Sequence, residues 1–256
     1  MRSPTTGDSG LDEAIEAVLD DIEPIKNRNR HRSIIYAAVR LAQSDAERVN
    51  VKIASAALDE MVRAFAVFRP YLGIPKVTIF GSARTQPNDG EYLLAKDLAA
   101  NMAAEGWMVV TGAGPGIMQA ASEGAGRDMS LGVSIRLPFE SEANEVIAGG
   151  DKLIAMRYFF TRKLMLVKES KAYVSLPGGF GTLDETFELL TLQQTGKADP
   201  EPIVLLDIPG GRYWHHFDTF VELALEERGL ISDTDRQKYL ITDSLSATTD
   251  EIRRFY

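Results

Sequence analysis

Apolar positions along the chain follow two rhythms in succession. Up to about residue 72 they recur at helical spacing. Leu11, Ile15, Val18, Leu19 and Ile22 mark one helix, and Pro24 breaks the run. Ile34, Ile35, Ala38, Leu41 and Ala42 mark a second amphipathic helix. A third runs from about Val51 to Phe68, with Ile53, Ala57, Met61, Ala64, Phe65 and Phe68 on one side, and Pro70 and Pro75 close it. Beyond residue 75 short apolar runs alternate with helical segments. The predicted strands are Lys76–Gly81, Trp107–Thr111, Leu131–Leu137, Ala172–Leu176 and Pro202–Asp207. The predicted helices are Tyr92–Glu105, Gly116–Arg127, Tyr158–Glu169 and Leu183–Thr195. The strands are rich in Val and Ile without strict alternation, as expected for a parallel sheet covered on both faces. The fold class is therefore α/β, a Rossmann-like doubly wound parallel sheet with an N-terminal helical extension and C-terminal helices from Tyr213.

Three parts are expected: a disordered, polar and turn-rich tail over residues 1–10, a helical extension over 11–75, and a Rossmann-like domain over 76–256. A chain of 256 residues can bury a full core in one such domain. No internal repeat or low-complexity stretch interrupts it. The tail lacks the apolar core of a secretory signal, and no apolar run reaches the about 18 residues of a membrane span, so a cytoplasmic protein is expected.

The net charge of -9, from 28 Lys and Arg against 37 Asp and Glu, argues against nucleic acid and anionic membranes as partners. The absence of cysteine excludes disulfides, thiolate metal sites and a Cys nucleophile. His31, His215 and His216 are the only histidines and stand in no ligand pattern, so no metal is implied.

Three loops at strand ends carry the candidate chemistry. Gly81-Ser82-Ala83-Arg84 follows the first strand and offers a hydroxyl and a charged donor. It also reads as a plain strand exit. Gly112-Ala113-Gly114-Pro115-Gly116-Ile117-Met118 follows the second strand. It fails as a dinucleotide fingerprint, because Ile117 stands where the third glycine belongs and no acid is placed for a ribose diol. What remains is a glycine turn into a helix N-terminus, which suits an anion. The third loop is Pro177-Gly178-Gly179-Phe180-Gly181-Thr182-Leu183-Asp184-Glu185. Its glycines free backbone N–H groups for a phosphomonoester, Thr182 adds a hydroxyl, and the helix dipole favours negative charge. The G-K-[ST] of a triphosphate loop is absent. Thr182 and Glu185 also fit the Thr-x-x-Glu capping box, which would leave Glu185 a structural role. Arg162 likewise reads either as a site cation or as a solvated helix-surface charge, and Lys163 as a surface residue or part of a subunit contact.

The segment Pro177–Glu185 has the form P-G-G-x-G-T-x-x-E, and Arg162-Lys163 lies upstream of it. Together with the loop Gly112–Met118, this pair of motifs resembles the LONELY GUY (LOG) family of cytokinin-activating phosphoribohydrolases, over roughly residues 76–208. The resemblance implies hydrolysis of the N-glycosidic bond of a nucleoside 5′-monophosphate, a cytokinin riboside monophosphate or AMP, to free base and ribose 5-phosphate. It implies Arg162 and Glu185 as the catalytic pair. Gly178, Gly179, Gly181 and Thr182 would hold the phosphate, with Gly81, Ser82, Gly112, Gly114, Gly116 and Met118 lining the rest of the substrate site. Asp184 is the alternative carboxylate, and Phe159 either stacks on the base or belongs to the core. No cofactor is implied, and a homo-oligomer, dimer or higher, is expected. The chain departs from the short form of the family in its N-terminal helices and in Tyr158-Phe159-Phe160-Thr161 ahead of Arg162, which points to a longer bacterial-type branch. The older "lysine decarboxylase" label finds no Schiff-base lysine with an acidic partner. Two alternatives stand beside this reading: a broad purine and pyrimidine nucleotide nucleosidase, and a non-enzymatic carrier of a nucleotide or of molybdenum cofactor.

Overall fold

A computed structural model describes residues 5–22, 26–136 and 143–256. Residues 1–4 of the expected tail, the expected break at Pro24 and the end of the third strand at Leu137 lie outside the described residues. The chain divides into two compact units, Met1–Leu58 and Asp59–Tyr256.

In the first unit, α1 (Ser9–Asp21) pairs with α2 (Arg28–Gln43). The carboxylate of Asp8 accepts the N–H groups of Gly10 and Leu11 at 2.8 and 3.1 Å. This cap satisfies otherwise orphaned donors and starts α1 at Ser9, inside the segment expected to be disordered. Ile15, Leu19 and Tyr36 form its small apolar core, flanked by ion pairs from Glu16 to Arg28 and Arg32.

The second unit begins within α3 (Arg48–Phe68). The strands are β1 (Lys76–Phe80), β2 (Met108–Thr111), β3 (Ser130–Ile135), β4 (Leu153–Met156), β5 (Ala172–Ser175), β6 (Ile203–Leu206) and β7 (Leu240–Thr242). They form one parallel sheet in the order β4-β3-β2-β1-β5-β6-β7. The connecting helices are α4 (Gly90–Ala104), α5 (Ile117–Met129), α6 (Phe159–Lys168), α7 (Phe180–Gln194), α8 (Tyr213–Phe220) and α9 (Leu245–Arg254). Alternate residues of each central strand feed different cores, which explains why the apolar runs showed no alternation. Val77, Ile79, Val109, Val174 and Val204 meet α4, α5 and α9 on one face. Phe80, Val110, Leu131, Val133 and Leu205 meet α6, α7, α8 and the end of α3 on the other.

Two strands escaped the sequence reading. Both are sheet edges: β4 has four residues, two of them buried, and β7 only three, each partly exposed. β7 is too short to carry a detectable apolar run, whereas β4, Leu-Ile-Ala-Met, carries one as long as those of β2, β5 and β6, so brevity does not explain its omission. The C-terminal stretch expected to be wholly helical therefore contains β7 between α8 and α9. The helix expected from Leu183 also starts earlier, at Phe180.

Candidate active site

The strand order reverses at β1. The chain runs outward through β2, β3 and β4, then returns to the other side of β1 as β5. A crevice opens at such a switch point, beyond the carboxyl ends of the strands. The loops after β1, β2 and β5 meet there. The Ser82 N–H donates to the Pro177 carbonyl at 3.2 Å, and the Ile117 N–H donates to the Ser82 carbonyl at 3.0 Å. Gly116 has φ of 66°, and a Cβ there would collide with the backbone of Ser82 and Ala83. Only glycine allows both that conformation and that approach. The crevice holds a cavity of about 730 Å³.

Arg162, on the first turns of α6, is buried at the bottom of this cavity. Its Nε donates to the Val133 carbonyl at 2.9 Å and its Nη1 to Glu185 Oε1 at 3.1 Å. The guanidinium passes over Gly112 so closely that a Cβ at that position would collide with Nη2. Carbonyl, carboxylate and backbone thus hold one orientation, and a rigid fork of donors suits that task better than a flexible ammonium.

Glu185, on α7, retains only 14% of its side-chain exposure. Burial pushes its carboxyl up to about 7, the neighbouring Arg162 pulls it back, the like charge of Asp184 adds to the rise, and Lys163 opposes it. Such a carboxyl exchanges its proton near neutral pH. Lys163 is not a free surface charge: its Nζ bridges Asp184 at 2.9 Å and Glu188 at 2.8 Å, tying α6 to α7. Asp184 points into that bridge and is largely exposed.

The bland reading of Thr182 and Glu185 fails on geometry. Helix α7 starts at Phe180, with Gly179 at its N-cap. Thr182 is then the third helical residue and cannot cap, and the Glu185 carboxylate bonds Arg162 instead. The solvated reading of Arg162 fails equally, since its side chain is only 10% exposed.

Of the residues singled out from sequence, Gly81, Ser82, Gly112, Met118, Arg162, Gly178, Gly179, Gly181, Thr182 and Glu185 line the one cavity. Gly114 and Gly116 do not. Gly116 packs under the first loop, and Gly114 sits against Met118. Sequence reasoning missed Tyr213 and the apolar wall of Phe80, Ile135, Phe180 and Leu183. Phe159 lies on that wall and is half exposed, so it is not core. Tyr213, from the start of α8, donates its hydroxyl to the Gly178 carbonyl at 2.7 Å. Its own N–H is held by buried Asp207 at 2.9 Å. No motif marks Tyr213, because it reaches the cradle across the sheet. Among the described residues no group of three or more His, Asp or Glu side chains is placed to hold a metal ion.

Comparison with known proteins finds relatives of this chain. Residues 116–252, more than half of the chain, match the model of a family described as "possible lysine decarboxylase". A Mycobacterium tuberculosis cytokinin riboside 5′-monophosphate phosphoribohydrolase is 31% identical over 166 residues, covering 62% of this chain and 84% of that protein. The Mycobacterium marinum protein of the same name is 32% identical over 167 residues, with 62% and 84% covered. One from Arabidopsis thaliana is 42% identical over 76 residues, 30% of this chain and 34% of that one. Among solved structures, the molybdenum cofactor binding protein of Rippkaea orientalis superposes with a TM-score of 0.52 at 22% identity, over 71% of this chain and 96% of that one, a likeness of fold alone.

Proposed function

From the premise that the chain belongs to the LONELY GUY (LOG) family of phosphoribohydrolases, we propose that it hydrolyses the N-glycosidic bond of a nucleoside 5′-monophosphate to free base and ribose 5-phosphate. The observation that carries this reading is the buried Arg162–Glu185 pair set beside a glycine cradle in one cavity. The phosphate rests on the backbone of Gly178, Gly179 and Gly181 with the Thr182 hydroxyl, at the N-terminus of α7. Cleavage of the C1′–N bond builds positive charge on the ribose. Ionised Glu185 stabilises that cation and takes a proton from the attacking water, whose oxygen bonds C1′ as the C1′–N bond breaks; Glu185 then gives that proton up through solvent to the departing base and is ionised again. Arg162 keeps Glu185 ionised and oriented. Phosphate binding energy holds the sugar against this pair. The substrate is a cytokinin riboside monophosphate or AMP, and the apolar wall of Phe80, Ile135, Phe159 and Phe180 suits the base, with Ser82 and Met118 beside it.

The catalytic part is assigned to residues 76–256, with the helical residues 11–75 ahead of it. The working form is a homo-oligomer, because Phe159 and Phe180, which line the cavity, and Phe160 and Leu164, on the same helix as Phe159, expose apolar area that a partner would cover. A carrier of nucleotide or molybdenum cofactor is the rival class. Fold likeness alone supports it, and a carrier needs no carboxylate buried beside a cation.

The test is a panel of isopentenyl-adenosine monophosphate, AMP, IMP, GMP and CMP, with released base read by chromatography. Preference for the prenylated nucleotide fits a cytokinin-activating enzyme, and equal or better use of AMP fits a general nucleotide nucleosidase. No base from any of them would move the assignment to the carrier.

A further inference from the structure

Glu60 lies on α3, ahead of the segment matched by the family model, and its side chain is almost wholly buried. A carboxylate in that position requires partners. Its Oε1 accepts the backbone N–H of Arg157 at 2.7 Å, and its Oε2 accepts the Thr161 hydroxyl at 2.7 Å. Arg157 immediately precedes the N-cap of α6, and Thr161 lies in its first turn. That helix has no cap of its own: Tyr158 stands at the N-cap and makes no side-chain capping bond. Its first turn otherwise relies on the Arg162 N–H, which donates to the Tyr158 carbonyl at 3.2 Å; the Thr161 hydroxyl lies 2.9 Å from the same oxygen, but its single hydrogen goes to the closer Glu60.

We infer that Glu60 is a positioning residue for Arg162, a buried carboxylate on α3 that ties down the segment entering α6 and so sets where its first turn lies. It holds the side chain of Thr161, next to Arg162, and the backbone of Arg157, five residues before Arg162. Arg162 tolerates little displacement, because its fork must reach the Val133 carbonyl and Glu185 at once while clearing Gly112. Negative charge at this helix start also complements the dipole of α6. The inference rests on the reading of Arg162 and Glu185 as the working pair, but its consequence for Glu185 is physical and does not require turnover. The groups bearing on the Glu185 charge are Arg162, Lys163 and Asp184. If Arg162 retreats, the carboxyl loses its strongest stabilising partner and its midpoint rises.

The experiment uses the full chain. The Glu185 carboxyl is titrated by carbon-13 NMR in wild type, Glu60→Ala, Glu60→Gln and Thr161→Val, with Glu185→Gln for assignment, and base release is followed in parallel. In Glu60→Ala the Glu185 midpoint should rise by at least half a pH unit. The variant's kcat should fall about tenfold or more with a smaller change in KM, since orientation of a reacting group is lost. Thr161→Val, nearly isosteric, should shift both in the same direction by less. Glu60→Gln keeps an acceptor for the Arg157 N–H and a donor to the Thr161 hydroxyl, and should recover most of each effect. Should Glu60→Ala not fold, Thr161→Val and Glu60→Gln decide. Lowered thermal stability with an unmoved Glu185 midpoint and unchanged kcat would overturn the inference. A shifted midpoint in a protein that releases no base would leave the positioning role standing and sink the functional reading alone.

Discussion

Glu185 sits between opposed effects, burial raising its proton affinity and Arg162 lowering it, and the balance is struck at about 7. The sign of the pH dependence follows. The ionised form is the working one, so kcat/KM should fall on the acid side with a midpoint near 7 in the free enzyme. Stability runs the other way. A carboxyl whose folded pKa exceeds its unfolded value binds its proton more tightly when folded, so wild type loses stability as pH rises from about 4.5 through 7. Glu185→Gln removes that dependence. The stability difference between the variant and wild type, measured by thermal unfolding, should therefore move in favour of the variant from pH 4 to pH 8. A difference independent of pH would mean that Glu185 has an ordinary pKa. Gly112 belongs to the same scale. Gly112→Ala places a methyl group where Nη2 of Arg162 lies, so turnover should drop by roughly 10²-fold through misplacement of the pair. Normal turnover in that variant would show that the Arg162 geometry does not matter.

At the scale of elements, α6 brings the cation, α7 the carboxylate and the glycine cradle at its start, and the start of α8 a hydroxyl that braces the cradle. Lys163 ties α6 to α7 through Asp184 and Glu188. Lys163→Met removes both the tie and a positive charge near Glu185, so the acid limb should move to higher pH. An unmoved limb would limit Lys163 to holding the helices together. Tyr213→Phe leaves the Gly178 carbonyl without its donor, and KM should rise several-fold with kcat less affected, because the cradle serves binding. A lower kcat at unchanged KM would place Tyr213 closer to the chemistry. The glycine loops and the Arg-Lys pair were legible in the sequence because their spacing is local and rare. The true start of α7 was not, since Thr182 and Glu185 mimic a capping box and only the phosphate-side glycine reveals the N-cap. Tyr213 and Glu60 were hidden for another reason. Each acts on a partner far along the chain, Glu60 on Thr161 and Tyr213 on Gly178, and a single sequence carries no trace of such pairs. Edge strand β7 was lost to its brevity, but β4 is as long as β2, β5 and β6 and wholly apolar, so its length does not account for its omission.

At the scale of the molecule, the parallel sheet places its switch point at β1 and gathers three loops from distant parts of the chain. No helix among the described residues is long and apolar enough to cross a membrane. Exposed Phe159, Phe160, Leu164 and Phe180 predict a homo-oligomer, and light scattering at micromolar concentration should give at least a dimer. A monomer there would leave these side chains without a covering partner. The central claim is that Glu185 performs chemistry in this cavity rather than supporting a carrier's pocket. The most direct measurement compares wild type with Glu185→Gln, following release of free base from a nucleoside 5′-monophosphate and binding of the same nucleotide by calorimetry. Turnover should fall by roughly 10²–10⁴-fold while affinity stays within a few-fold. Base release that survives the substitution, or a wild type that binds nucleotide and releases no base, would contradict it.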